Sequence, residues 1–405
     1  MSDTPQRRRT IVGRIAAPVV AAALCSCAAK LWEFRQVPAT ATLTTSPATL
    51  PARWSGGFIL VEASIDGAGP WSLILDTGAS VASVAPRVAD ALHLVRGRFG
   101  HDDHGVALGG AAGTEVRVRN AVRLGEVRVG ALVLRDLDAL LLDVSGFERV
   151  AGVRIDGILP ITAFHDVLLT LDGPANRVTV ERGELPPADG ADVLPLDGRA
   201  LPHVTIDLCG TPCSVLLDSG STEFVAVPEA RASALRFRSP PVVTGRSGTI
   251  AGPVPVRCGR LDGTVSWGRH GLADPILAIT PAETGAAGLA LFSQFRTTFD
   301  SAHGRVRFER DSRTPIESRA IRSPGAGFYR APDAWTVAYV LDEGPADRAG
   351  LRVGDRIDQL EGLPIAQVGA MYEILVMTSP ALRMRVTSEG GTAREVVVPV
   401  ATLVE

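Results

Sequence analysis

Lysine is nearly missing from this chain. Lys30 is the only one, so the positive charge rests on arginine and reads as compositional bias, not as a phosphate site. The formal net charge of −3 leaves no basic surplus, which excludes a nucleic-acid partner. Tyrosine is also scarce: Tyr329, Tyr339 and Tyr372 are the only three, and none precedes residue 329. No Gly-x-Ser-x-Gly elbow surrounds Ser80, Ser83 or His93, which argues against a serine hydrolase. Metal-ligand spacing is lacking too. His101-Asp102-Asp103-His104 are four consecutive residues in a polar stretch, a run expected as a solvated loop and not as a metal site, and no second Cys or His pair accompanies Cys209 and Cys213. Neither a metal nor a cofactor is expected. Long helical patterns are rare as well. Val, Leu and Ile runs bounded by glycine are common, with 42 Gly and 28 Pro, and this predicts a mainly β chain. At 405 residues and 46% hydrophobic content, it is long enough for two or three domains with substantial cores.

The first residues read as a processing segment. Arg7-Arg8-Arg9 form a positive start, and Ile15 to Leu24 form an apolar stretch too short to span a bilayer comfortably. Leu24-Cys25-Ser26-Cys27 resembles a bacterial lipobox, which implies a signal peptide over 1–27, lipidation of Cys27 and a membrane anchor on the periplasmic side. Ala28, in place of an aspartate, points to the outer membrane. An ordinary cleaved signal with incidental cysteines is the alternative. Residues 28–52, rich in Ala, Thr and Pro, are expected as a flexible tether. Cysteine usage fits export: Cys209 and Cys213 bracket a tight turn and could form a small disulfide, whereas Cys258 is expected as a buried thiol.

The strongest signal is internal. Leu75-Asp76-Thr77-Gly78-Ala79-Ser80 is echoed by Leu217-Asp218-Ser219-Gly220-Ser221-Thr222. Each copy follows a strand, a Gly/Pro turn and a returning apolar strand, over 61–75 and 203–217. Downstream, Ile155 to Pro160 and Ala287 to Phe292 form a second matched pair. Late hairpins follow in each half, at 166–180 and 296–308. A lone Asp-Thr-Gly is a weak signal; two copies with matched surroundings are a strong one.

Over residues 53 to 312 the chain resembles a two-lobed, pepsin-type aspartic protease, with Asp motifs closer to the retroviral type. That resemblance implies two β-barrel lobes related by a pseudo-twofold, at 53–186 and 187–312, meeting near Pro186-Pro187. It also implies an endopeptidase that acts on protein or peptide substrates with Asp76 and Asp218 as the water-activating pair. In such enzymes a glycine-containing element braces each catalytic turn, and Ile155 to Leu159 and Gly288 to Phe292 are expected in that role, with Asp156 only forming a turn. Gly78 and Gly220 permit the sharp turn beside each carboxylate. By resemblance, Thr77 and Ser219 cross-brace the loops, and Ser221 hydrogen-bonds the outer oxygen of Asp218, which Ala79 cannot do for Asp76. The missing hydroxyl implies a raised dyad pKa and activity nearer neutral pH. Both aspartates lie in one chain, so a monomer suffices. Trp54, Trp71 and Trp267 are expected to fill the lobe cores.

Two features qualify the resemblance. The first lobe lacks the flap tyrosine of the pepsin family, and its flap candidate, Val106 to Gly113, is glycine-rich and aliphatic. That keeps a second reading open: an inactive peptide-binding scaffold with a protease fold. The other feature is a third unit at 313–405. Glu343 to Ile357 is similar to the bacterial PDZ signature, which implies a small α/β domain. Its Gly325-Ala326-Gly327-Phe328 loop would receive a peptide C-terminal carboxylate on backbone N–H groups, the peptide adding as a strand.

Overall fold

A computed structural model describes residues 40–98, 106–109, 115–197, 200–249, 252–311, 313, 315–388 and 390–405. The expected signal segment and lipobox, the His101–His104 loop and the tip of the flap candidate lie outside the described residues. The protein is mainly β, as expected. Among the described residues no helix is long and apolar enough to cross a membrane.

Each half builds the same five-strand unit around its Asp strand. In the first, Phe58–Ile65 pairs antiparallel with Ala68–Asp76, and Ala68–Asp76 runs parallel to Gly157–Pro160. Gly157–Pro160 lies antiparallel to Ala82–Val84, itself parallel to Leu132–Leu141. The second half repeats the order with His203–Leu208, Thr211–Leu217, Gly285–Ala287, Val225–Pro228 and Ile276–Thr280. Leu73, Ile74 and Leu75 are all buried, as are Val215 and Leu217. Parallel strands covered on both faces require such apolar runs.

The late hairpins of the two halves join in one six-stranded sheet. Its central seam pairs Leu168–Asp172 with Arg296–Asp300, register Thr170 opposite Thr298, whose buried hydroxyls are 3.0 Å apart. The lobes are therefore tied by backbone hydrogen bonds. The expected tether is shorter than composition implies. Thr40–Leu43 pairs with Leu132–Leu141, and Ala48–Thr49 pairs with Arg177–Glu181, so residues 40–52 belong to the folded body. Of the three tryptophans expected in the lobe cores, Trp267 is in one, packed against Phe224, Phe295 and Phe308. Trp54 and Trp71 are only half-buried.

Cys209 and Cys213 are both free thiols, so the expected disulfide does not form. The turn between the strands is only Cys209-Gly210, and register places Ile206, not Cys209, opposite Cys213. One thiol is exposed at the turn and the other faces the core. Cys258 is buried, as expected, and accepts from Thr244 Oγ1 at 3.3 Å.

The C-terminal unit is a sheet ordered Ala326–Arg330, Trp335–Val340, Arg356–Leu360, Ala381–Thr387, Ala393–Pro399, with helices Pro345–Arg348 and Met371–Thr378. Its Gly354-Asp355 turn has a clear cause. Gly354 adopts φ 90°, and buried Asp355 accepts from the Arg352 N–H at 3.0 Å and from Arg394 at 2.8 Å.

Candidate active site

The structure brings Asp76 and Asp218 together. A Cβ built on Gly78 would stand 2.4 Å from Asp218 Oδ1, and one on Gly220 would stand 2.8 Å from Asp76 Oδ2. Any side chain at either glycine would therefore displace the opposite carboxylate. Each glycine also serves its own aspartate: Gly78 N–H donates to Asp76 Oδ1 and Gly220 N–H to Asp218 Oδ1, both at 2.8 Å. The two carboxyl groups therefore come together across the paired glycines.

Four buried hydrogen bonds lock the loops. Thr77 Oγ1 donates to Leu217 O at 2.7 Å and accepts from Ser219 N–H at 2.8 Å. Ser219 Oγ donates to Leu75 O at 2.8 Å and accepts from Thr77 N–H at 2.9 Å. Both side chains are fully buried. The arrangement is a two-fold exchange between lobes, and it gives Thr77 and Ser219 the bracing geometry expected of them.

Electrostatics follow from burial. Loss of water raises the pKa of Asp76 above the usual carboxylate value, against the opposing effect of the Gly78 N–H. Asp218 is raised further: burial is the main cause, and the nearby Asp76 charge is second. Two carboxylates brought together repel each other, and one proton shared between them relieves that repulsion.

Three features depart from expectation. Ser221 does not serve Asp218: its hydroxyl donates to Glu223 Oε2 at 2.5 Å. The second brace strand is Gly285–Ala287, three residues earlier than expected. Its register sets Gly285 opposite Val215 just as Gly157 lies opposite Leu73, while Leu289–Phe292 is helical. Only glycine fits at these two positions, because a Cβ would come within 2.2 Å of Ser83 O and 2.5 Å of Ala226 O respectively. Asp156, finally, does more than form a turn. Only 1% exposed, it accepts from Ser72 N–H at 2.9 Å, Arg87 Nε at 3.0 Å and Arg154 Nε at 2.9 Å. Arg87 also grips Glu148 through both its terminal nitrogens, and Glu148 caps the Ile155 N–H. This network fixes the approach to the first brace; sequence reading missed it because Arg87 lies 61 residues from Glu148 and 69 from Asp156.

The flap candidate is partly visible as a hairpin of Val106–Gly109 with Glu115–Val118; residues 110–114 lie outside the described residues. The expected carboxylate loop starts the edge strand Ala326–Arg330. Gly325 has φ 75°, and its N–H is already given to Ser323 Oγ at 2.9 Å, so any carboxylate there would depend on Ala326, Gly327 and Phe328. A cleft of about 440 Å³ lies beside this strand and helix Met371–Thr378, and Val150, Arg246 and Pro253 of the lobes also line it.

Comparison with known families agrees with this geometry. A family model described as aspartyl protease matches residues 61–162 and again 204–304. A PDZ-domain model matches residues 336–386. No curated protein matches the chain.

Proposed function

Because the chain belongs to the aspartyl protease family and carries a PDZ domain, we propose that it is an aspartic endopeptidase in which Asp76 and Asp218 activate one water. The observation that carries this reading is the approach of Gly78 to the Asp218 carboxylate and of Gly220 to the Asp76 carboxylate, with both loops held by the Thr77–Ser219 exchange.

Asp76 starts ionised and Asp218 protonated. The water gives a proton to Asp76 as its oxygen attacks the scissile carbonyl carbon, and Asp218 gives its proton to the carbonyl oxygen. The tetrahedral diol collapses when Asp76 passes its proton to the departing nitrogen and Asp218 recovers one from a diol hydroxyl. The pair returns to its starting state, and one carboxylic acid and one amine leave. No covalent intermediate forms. Gly78, Gly220, Thr77 and Ser219 keep both carboxylates fixed throughout, so little reorganisation accompanies the charge movement.

Both aspartates come from one chain, so a monomer is sufficient. The PDZ domain binds peptide C-termini that recruit or regulate substrates, and Cys27 carries a lipid anchoring the protein at the periplasmic face of the outer membrane. The absence of tyrosine before residue 329 favours the scaffold reading, in which the cleft binds peptides without cutting them. The test is cleavage of casein and a peptide library by the full chain over pH 3–8, with Asp76→Asn as control. Cleavage that Asp76→Asn removes is expected. No cleavage at any pH would refute the enzyme and leave the scaffold.

A further inference from the structure

The loop after Asp218 is pinned at two carbonyls. Leu289 N–H donates to Ser221 O at 2.8 Å, and Gly288 N–H donates to Glu223 O at 3.1 Å. A Cβ on Gly288 would fall 2.6 and 2.7 Å from those same oxygens, so a glycine is needed for the clamp. With the backbone held, the Ser221 hydroxyl meets the Glu223 carboxylate at 2.5 Å, a short charge-assisted bond. The first lobe has Ala79 and Val81 at the corresponding distances from Asp76 and can build no such pair.

We infer that Glu223 is a positioning residue of the second lobe, which holds the Ser221 hydroxyl away from Asp218 and sets a third negative charge in the loop that follows Asp218. The shared proton then rests on Asp218 and leaves Asp76 as the base. This rests on reading Asp76 and Asp218 as the catalytic pair. The electrostatics act in the same direction: after burial and Asp76, the Glu223 charge also raises Asp218. Other groups face the same region. The Cys258 thiol is pushed up to about 11, chiefly by burial and in part by Glu223. Arg310, Asp311, Glu317 and Arg319 line the cavity that Glu223 borders.

Carbon-13 NMR of the full chain labelled at aspartate carboxyls tests this, with Asp76→Asn and Asp218→Asn assigning the pair. Glu223→Gln keeps an acceptor for Ser221 and removes the charge. The Asp218 midpoint is expected to fall by about half a pH unit or more in Glu223→Gln, and to stay close to the original in Glu223→Asp. The basic limb of kcat/KM should move down with it. An unmoved midpoint in Glu223→Gln overturns the inference. Cleavage is a separate readout: a shifted midpoint in a protein that cuts nothing upholds the placement of charge and refutes the protease reading.

Discussion

Thr77→Val is nearly isosteric, yet it removes an atom that joins the two lobes in both directions. Without Oγ1, the Leu217 carbonyl loses its donor and the Ser219 N–H loses its acceptor, in a site where Thr77 and Ser219 are fully buried. A buried polar group left without a partner costs about 1–3 kcal/mol, so the pair amounts to roughly 2–6 kcal/mol. At about 2–4 °C per kcal/mol, the unfolding transition of the lobes should fall by roughly 4–24 °C. Ser219→Ala orphans a different pair, the Leu75 carbonyl and the Thr77 N–H, and should cost a similar amount. Once either bond set opens, water reaches the other, so the double variant should lose less than the sum of the singles. Scanning calorimetry of the full chain measures all three, and peptide cleavage follows the effect on the pair. A displacement of the carboxylates by about 1 Å would lower turnover by about 10²-fold. Thr77→Val melting within about a degree of the parent and cleaving at its rate would refute the exchange as the element that holds the dyad.

Three further outcomes follow from the same geometry. Asp156→Asn removes the charge on which Arg87 and Arg154 converge and should cost about 2–4 kcal/mol, read as a lower melting temperature; an unchanged transition would show that the network is dispensable. Asp218→Asn should melt higher than the parent at pH 7, because a carboxyl whose folded pKa is raised is favourable only when protonated. Its contribution is fully present below the unfolded value of 3.8 and is lost as pH rises toward the folded one, so the gap should close as pH drops below about 4; a gap independent of pH would contradict the shift. Peptide mapping after alkylation of native protein should find Cys209 modified and Cys213 and Cys258 modified only after unfolding. A Cys209–Cys213 cross-link would contradict the structure.

Local pattern made the main features legible. The duplicated Asp turn, the hairpin ahead of each copy and the late hairpins all announce themselves in short windows of sequence, and the structure places each as expected. Features set by register or long-range contact were harder to read. Gly285 and Gly288 look equally suited to the second brace, and only the pairing of Val215 with Gly285 decides between them. Ser221 and Glu223 meet only because Gly288 and Leu289 hold the intervening backbone. Residues 40–43 and 48–49 carry little apolar alternation because they are short strands added at sheet edges, so their composition reads as tether. The disulfide failed for the same reason: a two-residue turn shifts Cys213 opposite Ile206.

The central claim is that Asp76 and Asp218 work as one unit on one water, and kcat/KM for Asp76→Asn, Asp218→Asn and the double variant tests it most directly. Residues that act as a unit lose their effect together. Each single variant should therefore fall by about 10³-fold or more, with no further loss in the double. A single variant that cleaves like the parent, or losses that multiply in the double, would contradict the paired mechanism.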